Sequence, residues 1–515
     1  MKLKLQISAL VLGLLSLAFK TNDAIRVDGG LVSGAIAEGI RSFKGIPFAA
    51  PPVGALRWRA TQPVVGWQGV RDGTSFGPQC PQAPYAAGSM YFSPPQAQSE
   101  DCLSLNIWSG ARSGEKRPVM IWIHGGALTR GSGSTRVYDG TNLAKKGVVL
   151  VTINYRLGPL GYLAHPELSA ESPDHVSGNY GVLDQIAALK WVQKNIGAFG
   201  GDTNRVTIFG ESAGSWSVNT LVASPLAKGL FHRAIGQSGG TFGTAAYLKE
   251  DRGGQGSAEK LGTAFVKAAG VASIAELRTL SAERITEIFN GPDGRRFRTA
   301  ATVDGWVLPD DVRNIFANGR HNDVPVLVGS NADEMTTLIA PVAVPKTMEE
   351  YRKRVETQYG DRIAEFDAAY PVKTVAEIPR GYLRSIRDST FTLQMRTWAR
   401  FTGQGRSNAF LYFFSHVPPN PNSGYLGAYH AAEIAYVFNN LTRESARPAD
   451  LQLAEAMSNY WVNFAATGDP NGRSLVKWLP YSLEHEPYLD FGISIESRNH
   501  LLKEQLDFVE KSQKR

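Results

Sequence analysis

The sequence is poor in repetition, in charge and in cysteine. It has no internal repeat at solenoid periods, no low-complexity tract and no long Gly/Ser-rich or Pro-rich linker, which favours one large α/β unit with excursions over an array or a string of small domains. Charged residues make up only 20 % of the 515 residues and form no dense basic run. The net charge of +7 falls to +5 without residues 1–24, which hold Lys2, Lys4 and Lys20 against Asp23. That mild excess gives no support to nucleic-acid binding. What the chain does have is a 43 % hydrophobic content, enough at this length for a large buried core.

Lys2 and Lys4 precede an apolar stretch, Leu5 to Phe19, broken by Gln6, Ser8 and Ser16. This is the charged and apolar pattern of a secretory signal, too short for a comfortable membrane span. Cleavage is predicted near Ala24, with an uncleaved anchor as the alternative because the junction lacks a small-x-small pattern. No cysteine lies near it, which excludes a lipoprotein anchor. The organisation predicted is therefore a signal peptide at 1–24, one domain at 25–515, a secreted or periplasmic protein and no stable membrane span. In an exported chain the only two cysteines, Cys80 and Cys102, are expected to form a disulfide. Closing that loop of about 22 residues would contribute roughly 3 kcal/mol on the chain-entropy model.

The segment that points to chemistry is Gly210-Glu211-Ser212-Ala213-Gly214, which follows the apolar run Val206 to Phe209 and precedes a helix-compatible stretch, Ser215 to Ala223. A serine in such a strand-to-helix turn exposes its hydroxyl above the sheet, beside a backbone N–H that can receive an oxyanion. With 53 glycines the pattern needs structural context, and it does occur twice. Gly236-Gln237-Ser238-Gly239-Gly240 is followed by TFGTAA, a poor helix start, so Ser212 is the expected nucleophile and Ser238 a structural residue. A serine needs a base and oxyanion donors. The buried-strand run Pro118 to Ile123 ends in His124-Gly125-Gly126-Ala127, where glycines let backbone N–H groups turn inward. In the chain order nucleophile, acid, base, the histidines after Ser212 are His232, His321, His416, His430, His485 and His500. His232 leaves too little chain for an acid, whereas His430 follows the apolar strand Phe410 to Phe414, on the loop side where α/β sheets place function. The run Val324 to Gly329 is followed by Asp333 and Glu334, either of which could orient the imidazole. Spacing does not separate them.

These residues resemble the type-B carboxylesterases, the group that includes cholinesterases and bacterial para-nitrobenzyl esterases. The likeness runs from about residue 26 to 500 through FKGIPFAAPPVGALRW, EDCLSLNIW, WIHGGA, NYRLGPLG, FGESAGS, GSNADE, YHAAEIAYVF and WVNFAATGDPN. It implies Ser212 as nucleophile, Glu334 as acid and His430 as base, with the N–H groups of Gly126, Ala127 and Ala213 as the oxyanion hole. Ala127 stands where many relatives have a third glycine, which keeps the N–H and tightens the acyl side. The likeness also implies the Cys80–Cys102 bridge and two buried ion pairs, Arg57 with Glu100 and Arg156 with Asp184. The fold implied is an α/β-hydrolase: a large, mostly parallel twisted sheet with strands near 118–123, 148–154, 206–209, 233–236, 324–329 and 409–414, and helical caps at about 245–320 and 340–400. A helix near Asp184 shows Ile186, Leu189, Val192 and Ile196 on one face.

The expected function is hydrolysis of a small-molecule carboxylic ester through an acyl-enzyme, with no cofactor or metal and with loss of activity as His430 protonates near its ordinary pKa of about 6.5. The span Pro81 to Asp101 contains Tyr85, Tyr91 and Phe92 but no tryptophan, which disfavours choline esters. Uncharged short to medium esters, or aryl esters, are the default, and the family resemblance also implies activity on xenobiotic and mycotoxin esters. A lipase acting on longer acylglycerols, an amidase and a noncatalytic adhesion module are the alternatives. Sequence leaves the oligomeric state open.

Overall fold

The apolar runs of the sequence become neighbouring strands of one sheet in the computed structural model, which describes residues 24–513 apart from 244, 295, 296 and 443. The predicted signal peptide thus lies, up to residue 23, outside the described residues. In chain order the strands are β1 (Ile25–Val27), β2 (Gly30–Ser33), β3 (Ala35–Ala37), β4 (Ile40–Pro47), β5 (Val70–Asp72), β6 (Ser104–Ser109), β7 (Arg117–Ile123), β8 (Val149–Ile153), β9 (Gly201–Glu211), β10 (Arg233–Gln237), β11 (Val326–Asn331), β12 (Ala409–Phe414), β13 (Pro487–Phe491) and β14 (Ile495–Asn499). Among the described residues β1, β2 and β5 form a small sheet, and the other eleven form the main one in the order β14-β13-β12-β11-β10-β9-β7-β8-β6-β4-β3. From β8 across to β13 every pairing is parallel, and both flanks are antiparallel.

Parallel strands joined by helical crossovers are covered on both faces, so they read as continuous apolar runs rather than alternations. In β7, Val119, Ile121 and Ile123 enter one core, while Met120 and Trp122 enter the other. The first core is closed by the helix Tyr180–Asn195 through Val182, Ile186, Leu189 and Val192. The second is closed by the helix Pro448–Thr467 through Ala454, Met457, Trp461 and Phe464.

Both predicted cap segments are helical. The first places Phe265, Ile274, Leu277 and Ile285 against Trp58, Leu160, Leu163 and Tyr180. The second carries the helices Met348–Tyr359, Ile363–Ala369 and Ile378–Arg387, and then a π-helical turn, Asp388–Thr392, before the helix Leu393–Gly403.

Strand register decides where function can sit. Gly210 of β9 pairs with Ile123 of β7 and with Gly236 of β10, and Gln237 pairs with Glu211 and with Gly329 of β11. The carboxyl ends of four strands therefore finish level, and the segments leaving them, which contain His124, Ser212, Ser238 and Glu334, emerge side by side.

Candidate active site

Ser212 occupies the single residue between β9 and the helix Ala213–Ala223, with φ 55° and ψ −122°. For an L-residue this conformation costs on the order of 1–3 kcal/mol and persists only where its surroundings enforce it. Here the Ser212 N–H donates to the Gln237 carbonyl at 2.8 Å and the Ser212 carbonyl accepts the Trp216 N–H at 2.9 Å. The flanking glycines are steric requirements. A Cβ on Gly210 would stand 2.6 Å from the Gly214 carbonyl carbon, and one on Gly214 would stand 2.0 Å from the Ile123 carbonyl oxygen. The second glycine-rich serine lies beside the first, since a Cβ on Gly239 would meet the Ser212 carbonyl oxygen at 2.5 Å. Ser238 itself is fully buried and its hydroxyl has no hydrogen-bond partner among the described residues.

The loop after β7 runs against this elbow. A Cβ on Gly125 would lie 3.2 Å from Ser212 Cβ, so no side chain fits between loop and serine. Gly126, Ala127 and Leu128 all have left-handed φ values, 108°, 56° and 60°. Among the described residues the N–H groups of Gly126, Ala127 and Ala213 find no acceptor. The base of the loop is rigid: buried His124 stacks on Tyr155 with centroids 4.5 Å apart, and the Tyr155 hydroxyl donates to the His124 carbonyl at 2.7 Å. Burial pushes the His124 pKa down to about 4, so this imidazole is neutral at ordinary pH.

The structure separates the two carboxylates that spacing left equivalent. Glu334 Oε2 lies 2.5 Å from His430 Nδ1, and its other oxygen accepts the Asn331 N–H at 2.8 Å. Asp333 instead clamps the histidine loop, accepting the Ala428 N–H at 3.0 Å and donating its own N–H to the Ala428 carbonyl at 2.9 Å. Gly427, with φ 59°, is required beside it, because a Cβ there would sit 2.1 Å from Asp333 Oδ2. The other ring nitrogen of His430, Nε2, lies 3.1 Å from Glu211 Oε1, on the residue preceding Ser212. Phe391, delivered by the π-helical turn, stacks on the imidazole at 5.0 Å. Such turns recur at functional sites. The Tyr91 hydroxyl donates to the His430 carbonyl at 3.0 Å.

Electrostatics here were not legible in the sequence. Burial pushes Glu211 up to about 8, opposed by His430. Burial alone would lower the His430 pKa, but the carboxylates of Glu211 and Glu334 and the Glu334 hydrogen bond outweigh it and push the imidazole up to about 9. The ordinary value of about 6.5 expected from the isolated residue is corrected upward, because two buried carboxylates flank the ring. Glu433 is also raised by burial, while it accepts Gln237 Nε2 at 2.9 Å and Asn331 Nδ2 at 2.6 Å. Glu211, Glu433 and Phe391 had not been singled out. The available signal for the two glutamates was their placement, one adjoining the serine and one a helical turn beyond the histidine.

The bridge and the ion pairs around the site are present: Cys80 is bonded to Cys102, Arg57 pairs with Glu100 at 2.5 Å, and Arg156 pairs with Asp184 at 2.7 Å. With this geometry in view, the model of the carboxylesterase family matches residues 21–509. The chain belongs to the carboxylesterase family. It is a carboxylic ester hydrolase of the α/β-hydrolase fold. It is 40 % identical over 481 residues to the fumonisin B1 esterase of Sphingopyxis macrogoltabida, covering 89 % of this chain and 84 % of that protein. It is 35 % identical over 514 residues to the para-nitrobenzyl esterase of Bacillus subtilis (strain 168), covering 96 % and 100 %. A solved PNB esterase superposes with a TM-score of 0.81 at 32 % identity, over 95 % of this chain and all of that one.

Proposed function

We propose that this carboxylesterase works by two-step acyl transfer, with Ser212 as nucleophile, His430 as general base and Glu334 as the group that orients the imidazole. The observation that carries the assignment is the 2.5 Å contact between Glu334 and His430 Nδ1, which fixes the tautomer and turns Nε2 toward the segment bearing the strained serine. His430 Nε2 takes the Ser212 hydroxyl proton as Oγ attacks the ester carbonyl. The negative charge forming on the carbonyl oxygen is held by the free N–H groups of Gly126, Ala127 and Ala213. Collapse breaks the ester C–O bond, and the imidazolium gives its proton to the departing alcohol. Water, deprotonated by the same nitrogen, then attacks the acyl-serine and releases the acid.

The substrate class proposed is short to medium acyl or aryl esters, with mycotoxin esters supported by the fumonisin B1 esterase relative. Export is supported by the Cys80–Cys102 disulfide, since such bonds persist in oxidising compartments. Intact-mass analysis after treatment with a serine-directed organophosphate tests the nucleophile: one adduct on the native chain and none on Ser212→Ala is expected. Equal labelling of both would overturn Ser212. A chain-length series of nitrophenyl esters tests the substrate class, with a maximum beyond about ten carbons pointing to the lipase alternative.

A further inference from the structure

We infer that Arg130 recognises a carboxylate on the substrate, so that the site selects esters carrying a free carboxylate over neutral ones; this rests on the ester-hydrolysis reading above. Arg130 ends the turn that begins at Gly126, and its N–H donates to the Gly126 carbonyl at 3.0 Å. Its neighbour Gly131 is tied to the disulfide loop at both polar atoms, donating to Gln82 Oε1 at 2.7 Å and accepting Gln82 Nε2 at 2.9 Å. The half-buried guanidinium lies over the Tyr85 ring, 5.1 Å from its centroid. Tyr85 packs on Tyr91 with centroids 5.8 Å apart, and Tyr91 holds the His430 carbonyl. Arg130 is thereby anchored to the loop with the free N–H groups on one side and linked through two aromatic rings to the backbone carbonyl of His430 on the other.

Most other arginines that lie over rings have carboxylate partners, among them Arg57 with Glu100, Arg156 with Asp184 and Arg387 with Asp388, whereas Arg71 over Trp67 and Arg354 over Tyr382 make no ion pair among the described residues. The Arg130 side chain has the ring alone. Among the described residues it makes no ion pair and donates no hydrogen bond. A ring occupies the flat face of a guanidinium and leaves the in-plane N–H donors at its edge free, in the fork geometry that fits a carboxylate. Partial burial weakens solvent screening and strengthens that pairing. The same charge repels a quaternary ammonium, in keeping with the missing tryptophan.

The test uses two substrate pairs. Para-nitrophenyl hydrogen glutarate against para-nitrophenyl pentanoate puts the charge on the acyl side, and para-butyryloxybenzoate against its methyl ester puts it on the alcohol side. Expected is a pair for which the anionic-to-neutral ratio of kcat/KM falls about tenfold in Arg130→Gln, or about 1.4 kcal/mol, through KM, with partial recovery in Arg130→Lys. In the native enzyme that ratio should fall as salt is raised. No turnover of any of the four esters by the native enzyme would overturn ester hydrolysis itself. Turnover with unchanged ratios in both pairs would overturn the role of Arg130. Should Arg130→Gln fail to fold, the salt dependence in the native enzyme decides, and a ratio insensitive to salt in both pairs rejects the inference.

Discussion

The imidazole of His430 sits between two buried carboxylates, and this sets how the enzyme should respond to pH. As the proposed base His430 would work only when neutral, and its pKa is pushed up to about 9, so the competent fraction should grow as pH rises. We expect kcat/KM to climb through neutral pH with a half-point near 9 and to level off only about a pH unit above it. A profile already flat from pH 7 upward would contradict the flanking charges. Glu211→Gln removes one of them and should move the half-point down. An unmoved half-point would show that Glu334 alone sets it. Glu334 was selected from the Asp333–Glu334 pair only by the family resemblance, since two adjacent carboxylates have the same spacing to any partner. The structure separates them because the turn after β11 sends one side chain to the imidazole and the other to the Ala428 backbone.

At the level of elements, the loop leaving β7 would serve the proposed acyl transfer through its backbone, as Ser212, His430 and Glu334 would through their side chains. Its left-handed run at Gly126, Ala127 and Leu128 leaves the N–H groups of Gly126 and Ala127 without an acceptor among the described residues, and the conformation tolerates little. A Cβ at Gly126 would stand 2.3 Å from the Arg130 carbonyl oxygen, so Gly126→Ala must displace the turn. The expected result is a kcat lowered by about 10²–10³-fold with a modestly lowered thermal midpoint, because a Cβ at φ 108° is strained. Retained kcat would remove this loop from the oxyanion site. The central strands were legible in sequence because a strand buried on both faces is a continuous apolar run. The antiparallel edge strand β14 was not, since Ile495–Asn499 is mostly exposed and mixed in character. The π-helical turn that brings Phe391 to His430 leaves no mark that local periodicity could reveal.

Across the whole molecule, distant loops are tied to the sheet by buried charge. The side chains of Arg156 and Asp184 are 5 % and 0 % exposed, and Asp184 also accepts the Arg156 N–H and the Thr61 hydroxyl. Asp184→Ala strands a buried guanidinium and should destabilise by about 3–5 kcal/mol, seen as a lower thermal midpoint. A midpoint unchanged from native would mean that water reaches the pair. The Cys80–Cys102 bridge acts on another link of the chain, because the loop it closes carries Tyr85 and Tyr91. Replacing both cysteines by serine should cost about 3 kcal/mol of stability and raise KM more than it lowers kcat. An unchanged KM would show that the Tyr91 hydrogen bonds suffice to hold the loop.

The sequence by itself determined the six central parallel strands, the elbow at Ser212, the glycine loop, the paired cysteines and the family, because each is written in local composition or in short ordered motifs. Tertiary structure decided which carboxylate meets His430, that Glu211 and Glu433 crowd the same pocket, and that Arg130 lies over Tyr85 without a carboxylate of its own. Those facts depend on strand register and on loops hundreds of residues apart meeting in space. Burial, which raises Glu211 and Glu433 and lowers His124, exists only once the chain has folded.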